Sequence, residues 1–257
     1  MAESAELAEI RRDWEALGRE APLRASLGEF GRRGPDLRDA EFLAAGRAQI
    51  DGDLERLRGL GVAVRYGGAL DFGCGAGRLT NALAEHFDEV VGVDAAASML
   101  AEAERLDRGI GRIRYLHNTA PDLALLPDDR FDLVCADRVL QHLTPGQARG
   151  YLAELLRVLR PGGVLLLGAP DRAAGPILEA LSAAAPHRAV RFVQRRLLGY
   201  PAPIRMHPLP SRELADLVRA RGARLADSTS AGSGVLWHHM RHVVAKAPHR
   251  EHAAARL

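Results

Sequence analysis

Cysteine is scarce in this chain: Cys74 and Cys135 are the two in 257 residues. That is too few for a disulfide framework or a cysteine zinc centre. Lysine is scarcer still, since Lys246 alone among 35 basic residues is not arginine; the skew carries no functional weight. Aromatic residues make up 5%, and no separate basic or stacking module is visible, which speaks against nucleic-acid binding. Neither sign of charge prevails, because 35 − 33 leaves a net +2, and so small a balance builds no global steering field. The longest apolar run, VLLLGAP at 164–170, falls far short of the roughly 20 residues that span a bilayer. The opening MAESAELAEIRRDWEAL begins acidic without a continuous apolar run, unlike a signal peptide. The expectation is a soluble cytoplasmic protein with no membrane or nucleic-acid partner.

What is present is ordinary in amount and ordered in arrangement. Hydrophobic residues at 47% and charged residues at 26% are the averages of soluble globular proteins. The first 60 residues read as helical. Leu7, Ile10, Trp14 and Leu17 recur at spacings of three and four, as one buried stripe requires. After the break GRRGPD at 31–36 a second helix carries the stripe Phe42, Leu43, Ile50, Leu54 and Leu57, ending around Gly59 and Gly61.

From residue 68 strands and helices alternate. Strands are expected at 68–72, 89–94, 112–116, 131–136, 163–169, 223–228 and 235–246. Helices are expected from Gly77, at 98–106, between Thr144 and Arg160, and at 211–222 with Ser211 as N-cap and Gly222 as stop. Thr144 followed by Gln147 is a capping box, with Pro145 at the first helical position. Apolar strand runs alternating with helices mean a largely parallel α/β sheet covered on both faces. The proline-rich stretch 171–210 breaks the rhythm and reads as an insertion. Its arginines Arg188, Arg191, Arg195, Arg196 and Arg205 suit either a lid over an acidic acceptor or a solvated basic face.

One loop carries chemistry. Leu70-Asp71-Phe72-Gly73-Cys74-Gly75-Ala76-Gly77-Arg78 sets three glycines where a strand turns into a helix, where backbone must approach a ligand without Cβ in the way. The spacing G-x-G-x-G fails the dinucleotide pattern, and no lysine follows to make a phosphate loop. A nicotinamide dehydrogenase is thereby disfavoured. Asp94 ends the second strand 21 residues after Gly73, where a carboxylate can accept both hydroxyls of a ribose. An N-cap for the next helix would occupy the same position.

The four blocks ALDFGCGAGRLT, VVGVDAAASML, FDLVCADRVLQHL and LLRVLRPGGVLLL resemble, in order and spacing, the landmarks of the class I S-adenosylmethionine-dependent methyltransferases. The resemblance covers 68–170 firmly and the C-terminal strand pair more loosely. It implies a Rossmann-like seven-stranded sheet in order 3-2-1-4-5-7-6 with strand seven antiparallel. It also implies S-adenosylmethionine as cofactor and S-adenosylhomocysteine as product. The chain then divides into a helical cap at 1–60 and a methyltransferase domain at 61–257, with a lid insertion at 171–210. By the same resemblance Gly73, Gly75 and Gly77 would meet the aminoacyl end of the cofactor, Asp71 its amino group and Asp94 its ribose. Adenine would lie after the third strand, by Asn118, Asp122 and Leu123, where an Asx turn is the plain alternative. Ala136, Asp137 and Arg138 follow the fourth strand, at the carboxyl edge of the sheet where ligands of such folds bind. Arg47 would pair with the methionine carboxylate, or simply face solvent.

An activated methyl needs alignment more than acid–base help. A base matters only when the acceptor must lose a proton, and His142, then His207, are the candidates; packing under the next helix is the alternative for His142. His238, His239 and His242 do not make a metal site, because strand geometry spreads them over two faces. No recognition domain for a macromolecule is appended, so the expected acceptor is a small molecule, such as a secondary metabolite or sugar. A fold of this kind performing non-methylating chemistry such as cyclisation, or serving as a non-catalytic subunit, is the alternative. Oligomeric state is not legible.

Overall fold

The computed structural model describes residues 5–28, 37–108, 111–175, 192, 194, 196, 202–233 and 237–248. Seven strands form one sheet in the order β3-β2-β1-β4-β5-β7-β6. They are β1 (Gly68–Phe72), β2 (Glu89–Asp94), β3 (Ile113–His117), β4 (Phe131–Asp137), β5 (Leu159–Ala173), β6 (Ala223–Ser233) and β7 (Trp237–Lys246). The first five pair in parallel, and β7 runs antiparallel between β5 and β6. This is the expected topology.

Two-sided burial follows from the strand sequences. Neighbours along a strand point to opposite faces, so a strand covered on both sides must be apolar throughout. Val91 and Val134 join the core beneath α6 (Pro145–Val158) and α7 (Ser211–Arg219). Val90 and Leu133 join the opposite core, with Ile50, Leu54 and Leu57 of α3 (Asp39–Gly59) and Leu79 and Leu83 of α4 (Arg78–Leu83). The remaining crossover, α5 (Ala97–Leu106), buries Met99 and Leu100.

Several expected boundaries move. The capping box of α6 is present in both directions: Gln147 N donates to Thr144 Oγ1 at 3.4 Å and Thr144 N to Gln147 Oε1 at 3.0 Å. The helix stops at Val158, however, and β5 begins at Leu159, ahead of Pro161. Leu159 already pairs with Phe131, and a register irregularity between Phe131 and Leu133 admits the Pro161-Gly162-Gly163 turn. Ser211 is not the N-cap that its place in the sequence suggests. Pro210 takes that position, and Ser211 donates its hydroxyl to Asp171 Oδ1 at 2.6 Å. The break at 31–36 and Arg188, Arg191 and Arg195 lie outside the described residues.

The N-terminal elements reach the carboxyl edge of the sheet. Helix α1 (Ala5–Glu20) sends Leu7 and Ile10 into the α6-side core. Ser98, on α5, fixes α1 by donating from its backbone N to Glu15 Oε2 and from its hydroxyl to Glu15 O, at 3.1 and 3.0 Å. Gly18 permits the approach, because a Cβ there would stand 2.3 Å from Ser98 Oγ. A short helix absent from the periodicity reading, α2 (Pro22–Ser26), starts on proline, whose fixed φ suits a first turn. Residues 202–210 run along the same edge: His207 N donates to Gln141 O and Leu209 N to Pro170 O, both at 2.8 Å. Arg205 pairs with Glu9 of α1 at 2.7 Å.

Candidate active site

At the carboxyl ends of β1, β2 and β4 lies a cavity of about 1150 Å³ including its open mouth. Open α/β sheets bind ligands at this place, where strand order reverses around β1. Its base is the glycine loop. Gly73, Gly75 and Gly77 have φ of +69, +52 and +79°, values that side chains with Cβ rarely adopt. The turn lets Gly73 N and Cys74 N both donate to Val93 O, at 2.7 and 3.0 Å. Gly75 N is taken by Asp94 Oδ2 at 2.9 Å and Ala76 N by Ser26 Oγ of α2 at 3.1 Å. The loop therefore offers close backbone approach rather than a row of unspent N–H groups.

Asp94 is the most committed side chain of the wall. Besides Gly75, it accepts from Ala96 N through Oδ1 at 2.9 Å, which makes it both loop clamp and helix-entry cap. Each carboxylate oxygen has more than one lone pair, so both retain acceptor capacity toward the cavity they line. Burial pushes its pKa up, against the backbone hydrogen bonds that lower it. Asp71 is buried deeper and accepts from Thr80 Oγ1 at 2.6 Å. Burial raises its pKa to about 6, and the Thr80 bond and Arg78 resist that rise.

Beyond the loop stands a charged wall that sequence reasoning does not assemble. Asp137 Oδ2 accepts from Gln49 Nε2 at 3.1 Å and lies 3.5 Å from Arg78 Nη2 and 3.4 Å from Arg138 Nε. Gln49 Oε1 in turn accepts from Arg78 Nη1 at 3.0 Å. Gly46 and Gly168 make room for it, since a Cβ would fall 2.3 Å from Arg78 O and 1.9 Å from Asp137 Oδ1. In the sequence, Asp137 is placed at the strand edge and Arg78 after the third glycine, but their pairing through Gln49 is not legible.

Opposite, α1 closes the cavity with Leu7, Ile10 and Trp14. Trp14 meets the His142 ring edge-on, with centroids 4.9 Å apart. The Nδ1 of His142 lies 2.8 Å from Arg205 O, which fixes Nδ1 as the protonated nitrogen of a neutral ring. Burial lowers its pKa to about 4, against the backbone hydrogen bonds that raise it. The ring is uncharged at neutral pH and is a weak base.

The expected site residues thus separate. Asp71, Gly73, Gly75, Asp94, Asn118, Asp137 and His142 line the cavity. Asn118 also makes the local turn, donating to Asp122 O at 2.8 Å and accepting from Ala120 N at 3.2 Å. Gly77 faces α5 instead; a Cβ there would meet Tyr115 Oη and Ala103. Asp122 caps Ala124 N, Leu123 is core, and Ala136 is fully buried in β4; none of the three is among the lining residues. Arg47 is paired with Glu85 at 2.7 Å on the exposed face of α3. His207 is anchored to Gln141 by its backbone and also stands outside the lining. Among the described residues no cluster of three or more potential metal ligands occurs, and no helix is long and apolar enough to cross a membrane.

The burial of His142 has a measurable signature. Its folded pKa of about 4 lies below the 6.5 of an exposed ring, so protonation favours the unfolded chain. The stability it contributes is present above pH 6.5 and disappears as pH falls toward 4, on the order of 3 kcal/mol. Asp71 acts oppositely, because its raised pKa adds stability at low pH that is lost as pH rises through about 6. Urea unfolding should show the advantage of wild type over His142→Phe shrinking by roughly 2–3 kcal/mol from pH 7 to pH 4. A difference independent of pH would mean that the ring titrates normally.

Residues 69–163 match the family model described as a methyltransferase domain. A ubiquinone biosynthesis O-methyltransferase of Bradyrhizobium sp. (strain ORS 278) is 36% identical over 104 residues, 40% of each chain. A trans-aconitate 2-methyltransferase of Methylobacterium radiotolerans is 36% identical over 124 residues, 46% of this chain and 45% of that one. The chain spans less than half the length of the curated relatives it matches. Over the whole fold, the magnesium protoporphyrin IX methyltransferase of Synechocystis PCC 6803 with bound SAH superimposes with a TM-score of 0.62. That match is 17% identical and covers 94% of this chain and all of that one. The DhpI complex with SAM and HEP gives 0.63 at 21% identity, covering 95% and 100%.

Proposed function

We propose that this chain, whose residues 69–163 belong to the methyltransferase domain family, transfers the methyl group of S-adenosylmethionine to a small-molecule acceptor. The observation that carries the reading is Asp94. Its carboxylate lines the cavity beside the glycine loop, clamped by Gly75 N and Ala96 N with lone pairs to spare. That is the recognition element a ribose diol requires. Bound there, the cofactor would supply a methyl on a positively charged sulfur, already activated for transfer to an acceptor.

The residues of this chain then have distinct tasks. Gly73 and Gly75 let the cofactor lie against bare backbone, and Asp71 and Asp137 complement its cationic amino and sulfonium groups. Asn118 reads the adenine edge, and Leu7, Ile10 and Trp14 keep water from the apolar half of the cavity. Water exclusion strengthens each of these charge contacts. A base works best when its pKa lies near the working pH, and His142 at about 4 does not. We therefore assign it no proton transfer, keep it as part of the cavity wall beside Trp14, and favour an acceptor oxygen that arrives already ionised. The activities named for the two relatives, in ubiquinone biosynthesis and on trans-aconitate, support small acceptors.

The protein incubated with methyl-labelled S-adenosylmethionine and extract of its source should place label in the small-molecule fraction. Label in protein or nucleic acid would overturn the acceptor class, and absence of label from every fraction would overturn methyl transfer.

A further inference from the structure

A second cleft, about 750 Å³ with its mouth, opens on the other side of the Asp137–Arg138 wall. Resting on the methyl-transfer reading above, we propose that this cleft receives the acceptor and that Arg138, with His239 beside it, holds a carboxylate of that acceptor. Asp137 and Arg138 belong to both hollows. Their side chains form the boundary that the two hollows share.

Arg138 is held there at a conformational cost. Its φ is +58°, and a non-glycine residue in this region is uncommon and concentrated at functional sites. The backbone is pinned by Arg138 N donating to Gly168 O at 2.8 Å. The guanidinium donates from Nη1 to Leu27 O at 2.6 Å and from Nε to Asp137 Oδ2 at 3.4 Å. A guanidinium has five N–H donors, so these two contacts leave part of the planar fork unspent, and that fork matches a carboxylate with two parallel bonds.

The surroundings agree. The ionised groups lining the cleft are Arg138, Arg241 and Asp137. Arg241 is paired with Asp53, which is buried and outside the lining. Asp137 is already shared by Arg78, Arg138 and Gln49. His239 lies half-buried within electrostatic reach of Arg138 and Asp137, where a neutral ring can share a hydrogen bond with the same acid. One acid group therefore completes the set, since among the described residues no second carboxylate lines the cleft.

The test uses the extract reaction after passage over an anion-exchange resin at pH 7. Label incorporation should vanish in the flow-through and return with the salt eluate. With limiting eluate, Arg138→Gln should lower incorporation at least tenfold and regain it as eluate is raised, while Arg138→Lys retains part of it. Undiminished incorporation from the flow-through overturns the carboxylate. An Arg138→Gln defect relieved by more S-adenosylmethionine instead of more eluate, or not relieved by Lys, overturns the role of Arg138. Absence of label with unfractionated extract is the separate failure of methyl transfer itself.

Discussion

Replacing Asp94 by alanine should weaken S-adenosylhomocysteine binding about 10- to 200-fold, the range of hydrogen bonds to a charged group at 1.5–3 kcal/mol. The effect has two origins that can be separated. The carboxylate is the proposed acceptor of the ribose hydroxyls, and it also holds Gly75 N and Ala96 N. Removing it leaves two N–H groups seeking partners, so the glycine loop loosens and unfolding becomes easier by about 1–3 kcal/mol. Asp94→Asn restores one acceptor oxygen but turns two amide hydrogens toward groups that are themselves donors. Stability should therefore return in part while affinity stays low. Titration calorimetry on variants with native circular dichroism reads the affinity, and urea unfolding of the same variants reads the stability. Unchanged affinity in a folded Asp94→Ala protein would show that the ribose lies elsewhere.

Gly73→Ala should be the most damaging of the small substitutions. Two effects coincide at this position. The φ of +69° costs roughly 1–2 kcal/mol for a residue with Cβ. The added carbon would also sit 2.3 Å from Val139 Cγ2, so β1 and the segment after β4 would be forced apart across the cavity. Off-rotamer and backbone adjustment of that kind typically costs a further 1–3 kcal/mol. We expect a thermal midpoint several degrees lower, and cofactor affinity at least tenfold weaker. The double variant Gly73→Ala, Val139→Ala removes the collision and leaves the dihedral strain. It should recover stability by about the steric share, with its own cost for the lost valine methyls. No recovery would assign the whole effect to backbone strain.

Elements whose signal is local are legible in the amino-acid sequence alone. The strands at 68–72 and 89–94, the α6 capping box and the Phe42 to Leu57 stripe all stand where periodicity and capping chemistry put them. Strand order comes from the resemblance to a known family rather than from periodicity, which does not encode it. Ser211 misleads because serine at a helix start is read as a cap, whereas its hydroxyl is claimed by Asp171, forty residues earlier. The short helix Pro22–Ser26 carries too little pattern to detect.

The candidate site divides along the same line. Asp71, Gly73 and Gly75 belong to one strand–loop–helix unit and Asp94 ends the next strand, so their places follow from local pattern. The wall of Gln49, Arg78, Asp137 and Arg138 joins three distant segments; the strand end places Asp137 and Arg138, but nothing local brings Gln49 and Arg78 to them. Arg47 illustrates the converse: two residues before Gln49 on the same helix, it lies on the face turned to Glu85 and solvent. The distinction between Gln49 and Arg47 is a matter of helical phase against α4, which only the packed structure reveals.

Direct calorimetric titration of the wild-type chain with S-adenosylhomocysteine, set beside NAD in the same buffer, tests the central claim most closely. The account predicts saturable binding of one S-adenosylhomocysteine per chain and no heat from NAD, because the glycine spacing and Asp94 serve a nucleoside without a pyrophosphate cradle. Saturable binding of NAD with none of S-adenosylhomocysteine would contradict it.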